Sequence, residues 1–289
     1  MNNFPKISKG FIFTFSAAAF WAVSILITKF ILRGGESSYN IVFWSTVLAL
    51  PFWLAIFYQK REEFKRATAK DYFLLISIGI MGTLAASLIE VLALKYTQAI
   101  NYSFLIRSSL LFTIVFAFMF LGEKITKKKI IISLAILIGV YFISTNGRLI
   151  KFSAGDLLTL SEAALISFGN TILGKIVTKR MSSNLSASAS FLAGLIPVII
   201  LGFVFHSVSF PKSFIPLIFL VVLSTAGVMS RFNAYKNATA SYIAMIYSFT
   251  PVIVTFAALP LFGESLGILQ IAGGVLIILA GIFTEKLKI

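Results

Sequence analysis

The stretches that decide the fold are Ala93–Ala99, ALKYTQA, and Ala234–Ala240, AYKNATA. Leu121–Glu123, LGE, follows the first, and Phe262–Glu264, FGE, follows the second. Every matched pair in them, from Ala93/Ala234 to Glu123/Glu264, is 141 residues apart. Working outward, GFIFTFSAAA from Gly10 aligns with GDLLTLSEAA from Gly155, an offset of 145. A fixed register through polar residues is the mark of an internal duplication rather than of two similar apolar runs.

The repeats sit in a strongly apolar chain. Of 289 residues 58% are hydrophobic and 12% charged, against about 25% charged in an ordinary soluble domain. The mean hydropathy is +0.97, so the chain reads as an all-α membrane protein. Spanning a bilayer takes about 20 apolar residues per helix. Gly10–Leu32, Tyr39–Tyr58, Tyr72–Leu94, Ala99–Leu121 and Ile130–Ser144 qualify, the last lengthened by Lys127, Lys128 and Lys129. Leu157–Val177, Leu185–Phe205, Ser213–Ser230, Ser241–Phe262 and Ser265–Thr284 follow.

Ten helices in two copies give five per repeat, residues 1–150 and 151–289. Five is odd, so the second copy is expected upside down relative to the first, an arrangement recurrent in transporters. The basic residues agree. With ten crossings, eighteen of the Lys and Arg residues fall on one side and six on the other, and Arg107 inside a helix completes the 25. The positive-inside rule then puts both termini in the cytoplasm, with the inner (plasma) membrane as the expected location.

Composition also excludes chemistries. With no cysteine and the single His206, the chain offers no thiolate, no disulfide and no histidine-based metal site. No catalytic residue, metal or cofactor is expected. The net charge of +15 lies in short clusters between apolar runs, without the aromatic-interleaved stripe of a nucleic-acid binder.

Charge inside a membrane is costly and marks function by default. Glu90 and Arg107 lie at similar depths on either side of the turn near Thr97, so they are expected to meet as a coupled pair. Adding 141 to Glu90 gives Arg231, which approaches the same cavity or serves as a positive-inside anchor. Glu162 aligns with Ala17, on the face of Ala17, Trp21, Ser24 and Thr28, and is expected opposite Trp21 as a proton carrier. Asp156, at the start of its helix, reads as a cap. Pro251 removes a backbone donor and frees the Tyr247 carbonyl, making a polar patch at mid-depth; the first copy has Leu110 there, so a kink is expected only in the ninth helix. The candidate substrate-binding set is Trp21, Ser24, Glu90, Ser103, Arg107, Glu162, Asn170, Arg231 and Tyr247. Gly263, Gly267, Gly274 and Gly281 make a packing or dimerisation stripe, so a homodimer is a candidate assembly.

The helix-ending Gly-Glu pairs, the ALKYT motif at Ala93–Thr97, the GDLL opening at Gly155–Leu158, and Trp21 with Lys29 resemble the drug/metabolite transporter superfamily and its EamA-type members. The resemblance covers essentially the whole chain. It implies ten helices, an inverted duplicate, and export of amino acids, metabolites or toxic cations. Charges of both signs with two aromatics suit a zwitterion such as an amino acid, with protons as a candidate coupling ion. Organic cations are the alternative, ahead of lipid flipping and of an intramembrane enzyme.

Overall fold

A computed structural model describes residues 8–148, 153–205, 208–262 and 267–287, and all regular structure among them is helical. Among the described residues ten helices are long and apolar enough to cross a membrane. They are α1 (Lys9–Arg33), α2 (Ser38–Gln59), α3 (Ala69–Tyr96), α4 (Asn101–Leu121) and α5 (Lys127–Thr145). The others are α6 (Ala154–Thr178), α7 (Ser183–Gly202), α8 (Phe214–Asn237), α9 (Ala240–Ala257) and α10 (Ile268–Leu287). Outward faces are apolar: Phe73, Phe118, Ile131, Ile196 and Phe219 are each more than half exposed. Lipid can solvate such a surface, and it leaves the backbone to satisfy its own hydrogen bonds, which helices do.

Local signals set the ends. Ser8, Ser37, Thr126 and Thr239 cap α1, α2, α5 and α9 by accepting from amides one turn on. Because Thr126 caps α5, that helix starts at Lys127 and not at Ile130, and the three lysines belong to its first turn. Asp156 caps as expected, in a box in which it and Ser153 each accept the other's backbone amide. Gly122, at φ 68°, ends α4 in the left-handed conformation that glycine adopts without strain.

Small residues bring helices together. Gly79 of α3 and Gly194 of α7 approach backbone to backbone, leaving no space for a Cβ at either. Of the glycine stripe near the C-terminus, Gly267 packs on Asn146, Gly274 on Ile143 and Gly281 on Phe249, all within the chain. Gly263 and Glu264, like His206, lie outside the described residues.

Structural details recur at the repeat offset. A 3-10 turn interrupts α4 at Ile106–Ser108, and another interrupts α9 at Tyr247–Phe249, 141 residues on. Both copies therefore carry the break, including the one without proline. Lys29 donates to the carbonyls of Leu94 and Thr97 at the end of α3. Lys175 donates to those of Tyr235 and Ala238 at the end of α8, again 141 further along. Lys29 and Lys175 themselves differ by 146, one more than Gly10 and Gly155. The extra residue is absorbed by a π-helical turn at Ser167–Ile172 in α6, which α1 lacks.

Contacts between the helix ends define two ends of the bundle. At one, Arg180 pairs with Asp71, Ser182 donates to Glu63 through its amide and hydroxyl (2.6 and 2.7 Å), and Glu123 holds the start of α9. At the other, the Lys212 amide donates to Glu36 (2.7 Å) and the Thr97 hydroxyl to Asp156 (2.8 Å).

Candidate functional site

Between these ends lie two adjoining chambers. The larger, about 140 Å³, is walled by α1, α2, α3, α7 and α8 with Asn170 of α6, and includes Trp21, Ser24, Glu90 and Arg231. The smaller, about 50 Å³, includes Arg107 and Tyr247. Trp21, Asn170 and Arg231 line both, so these three side chains form the partition.

The partition is built from irregular backbone. Asn170 sits in the π turn of α6, and opposite it runs a second π turn, Gly79–Ala86 in α3. Gly82 of that turn faces the Asn170 amide so closely that a Cβ would collide with it. Trp21 and Ser24 share a face of α1, where the Ser24 hydroxyl donates to the Phe20 carbonyl at 2.9 Å. The Arg231 guanidinium stands 5.7 Å from the centre of the Trp21 ring, within cation–π range. Arg231 therefore faces both chambers beside the Trp21 ring.

Glu90 and Arg107 do not meet as the depth argument predicts. They form no ion pair; the cation in electrostatic reach of Glu90 is Arg231. Equal depth fixes height along a helix but not rotation about it, and the π turn preceding Glu90 changes that rotation. Arg107 instead donates through Nη1 to the Tyr247 carbonyl at 2.7 Å. That carbonyl, which Pro251 deprives of the α-helical donor four residues on, accepts the Thr250 amide in the 3-10 turn and also the Thr250 hydroxyl at 2.7 Å.

Glu162 and Ser103 line neither chamber. Both are buried, Glu162 completely. Its Oε1 accepts from the Tyr102 hydroxyl at 2.8 Å, and its Oε2 has no partner. Nor is it isolated: Glu90 and Arg107 both act on it electrostatically. Among the described residues no group of three or more His, Cys, Asp or Glu is placed to hold a metal.

The EamA-like transporter family model matches residues 8–145 and 154–284. The chain belongs to this family. An uncharacterized transporter of Archaeoglobus fulgidus is 26% identical to it over 93% of this chain and 94% of its own. Another, from Clostridium kluyveri, is 25% identical over 96% and 93%. The uncharacterized transporter YyaM of Bacillus subtilis is 25% identical over 76% and 74%. A crystal structure shares the fold with a TM-score of 0.78, covering 96% of this chain and 97% of the other at 14% identity.

In this EamA-like transporter several lining residues escape a reading based on charge. Ser45, Thr46 and Ser190 face the larger chamber, and Thr113 and Tyr235 the smaller. The available signal was a hydroxyl in an apolar helix, which lipid-facing positions rarely carry. Tyr102, for which the sequence suggests no role, is the partner of Glu162.

Proposed function

We propose that this chain is a secondary active transporter that exports small zwitterionic metabolites of the amino-acid kind. One observation carries the reading: a carboxylate, Glu90, and a guanidinium, Arg231, line a single chamber beside an aromatic ring, Trp21. Glu90 suits an ammonium and Arg231 a carboxylate, while Trp21 offers a face to an apolar side chain. Arg231 over the Trp21 ring disfavours a permanent organic cation, which would meet a like charge there.

Alternating access is proposed to come from two inverted halves, residues 1–150 and 151–289, rocking about this chamber. The paired 3-10 turns and the paired lysine contacts of Lys29 and Lys175 support such a relation. Protons are the proposed coupling ion and Glu162 their carrier. The charge distribution supports cytoplasmic termini and the inner membrane.

The test is a panel of labelled amino acids and quaternary amines in proteoliposomes, with and without a proton gradient. Saturable movement of amino acids that Glu90→Gln removes is expected. Glu162→Gln should abolish the gradient-driven component and leave exchange measurable. Transport of quaternary amines with no amino acid carried would overturn the assignment.

A further inference from the structure

The smaller chamber differs in charge from the larger. It is lined by two guanidiniums, Arg107 and Arg231, and by no carboxylate. Lys129 is paired with Glu123 and Arg180 with Asp71, while Lys29 and Lys175 each donate to two backbone carbonyls. Arg107 has neither arrangement. It is 3% exposed, belongs to no ion pair, spends Nη1 on a carbonyl, and leaves its buried Nε without a hydrogen-bond partner. The Nε of Arg231 is buried and unpartnered as well. The carboxylates in electrostatic reach, Glu162 of Arg107 and Glu90 of Arg231, hydrogen-bond to neither guanidinium, and two buried guanidiniums with unmet donors facing one space are costly.

We propose that this chamber is a binding site for a compact oxyanion, held by Arg107 and Arg231 across the Trp21–Asn170–Arg231 partition from Glu90. Guanidinium forks match the planar oxygens of a carboxylate. The Thr113 hydroxyl lines the same wall, and a chamber of about 50 Å³ admits a headgroup of that size but not a bulky acid. The anion is either the carboxylate of a substrate reaching past Trp21 or a free small ion. The site follows from the arginines and their surroundings and holds whichever substrate the larger chamber takes.

Formate is the probe. Purified full-length protein in lipid nanodiscs is titrated with formate, with ionic strength held by a bulky sulfonate, and the melting temperature is followed. A saturable upward shift is expected in the wild type and in Glu90→Gln. Arg107→Gln should raise the half-saturating concentration about tenfold or more, as expected for the loss of charge-assisted hydrogen bonds. Ala244→Leu, which fills the chamber while leaving both arginines in the chain, should abolish the shift even if Arg107→Gln folds poorly. Formate competing with a transported amino acid would identify the anion as the substrate's own carboxylate. Formate enhancing amino-acid binding would identify a separate ion. Absence of a saturable shift in the wild type, or an equal shift in Ala244→Leu, would overturn the site.

Discussion

The Arg107 guanidinium donates to the carbonyl of Tyr247 at 2.7 Å, joining the 3-10 turn of α4 to the equivalent turn of α9. That carbonyl is available because Pro251, four residues on, has no N–H to give it. Two breaks 141 residues apart are therefore fastened to each other at the edge of the smaller chamber.

Restoring the amide should undo this arrangement. Pro251→Ala gives α9 a donor for the Tyr247 carbonyl and favours continuous helix through Tyr247–Phe249. Thermal stability should hold or rise, because proline in a helix interior costs about 3 kcal/mol, while the transport rate falls. An unchanged rate alongside a raised melting temperature would show that the break is not used.

Charge coupling should follow the observed neighbours rather than the expected ones. In double-mutant cycles read by thermal unfolding, Glu90→Gln with Arg231→Gln should deviate from additivity by more than about 0.5 kcal/mol. Glu90→Gln with Arg107→Gln should be additive within about that margin. A large coupling in the second cycle would restore the pair read from depth alone.

The Asp71–Arg180 ion pair and the Glu63–Ser182 hydrogen bonds tie the first turn of α3 and the connection before it to the α6–α7 connection. If the halves part at this end during transport, a covalent tie must stop the cycle. The chain has no cysteine, so Asp71→Cys with Arg180→Cys gives a clean pair. Oxidation should block transport and reductant restore it, whereas transport through the oxidised pair would exclude opening at this end.

Topology can be read with the same cysteine-free background. Arg148 and Lys212 are exposed at one end of the bundle, and Lys124 and Lys179 at the other. Impermeant maleimide applied to intact cells should label cysteine at positions 148 and 212 and spare positions 124 and 179. The opposite pattern would reverse the orientation inferred from charge.

Glu123 makes stability depend on pH. It accepts from the Ala240 amide (2.7 Å), from the Ser241 hydroxyl (2.6 Å) and amide (3.3 Å), and from Lys129 (3.3 Å). Burial alone would raise its pKa above the ordinary 4.5, but the Ser241 and Ala240 hydrogen bonds and the Lys129 charge outweigh it and the net direction is down. A native pKa below the unfolded one means that the stabilisation is complete above about pH 4.5 and is lost as the pH falls through the native value. Glu123→Ala should cost about 1–3 kcal/mol at pH 7, and the gap between the two melting curves should close on acidification. A gap constant with pH would remove the ionised carboxylate from the account.

Much of the architecture is local and can be read along the chain. A bilayer demands some 20 apolar residues per crossing, and each backbone must satisfy its own hydrogen bonds, so ten runs of that kind become ten helices. The 141-residue register, the cap at Asp156 and the donor that Pro251 withholds from the Tyr247 carbonyl are equally local, since each depends on residues within a turn or on a match between copies. Which side chains share a wall is another matter. Successive residues of a helix are rotated by about 100°, so a single residue taken up by a π turn redirects all that follows. The turns at Gly79–Ala86 and Ser167–Ile172 leave no mark in hydropathy. Only the packed structure places Glu90 with Arg231, seats Glu162 against Tyr102 behind the chambers, and sets Arg107 beside Tyr247, because these neighbours come from helices whose relative rotation the tertiary contacts alone decide.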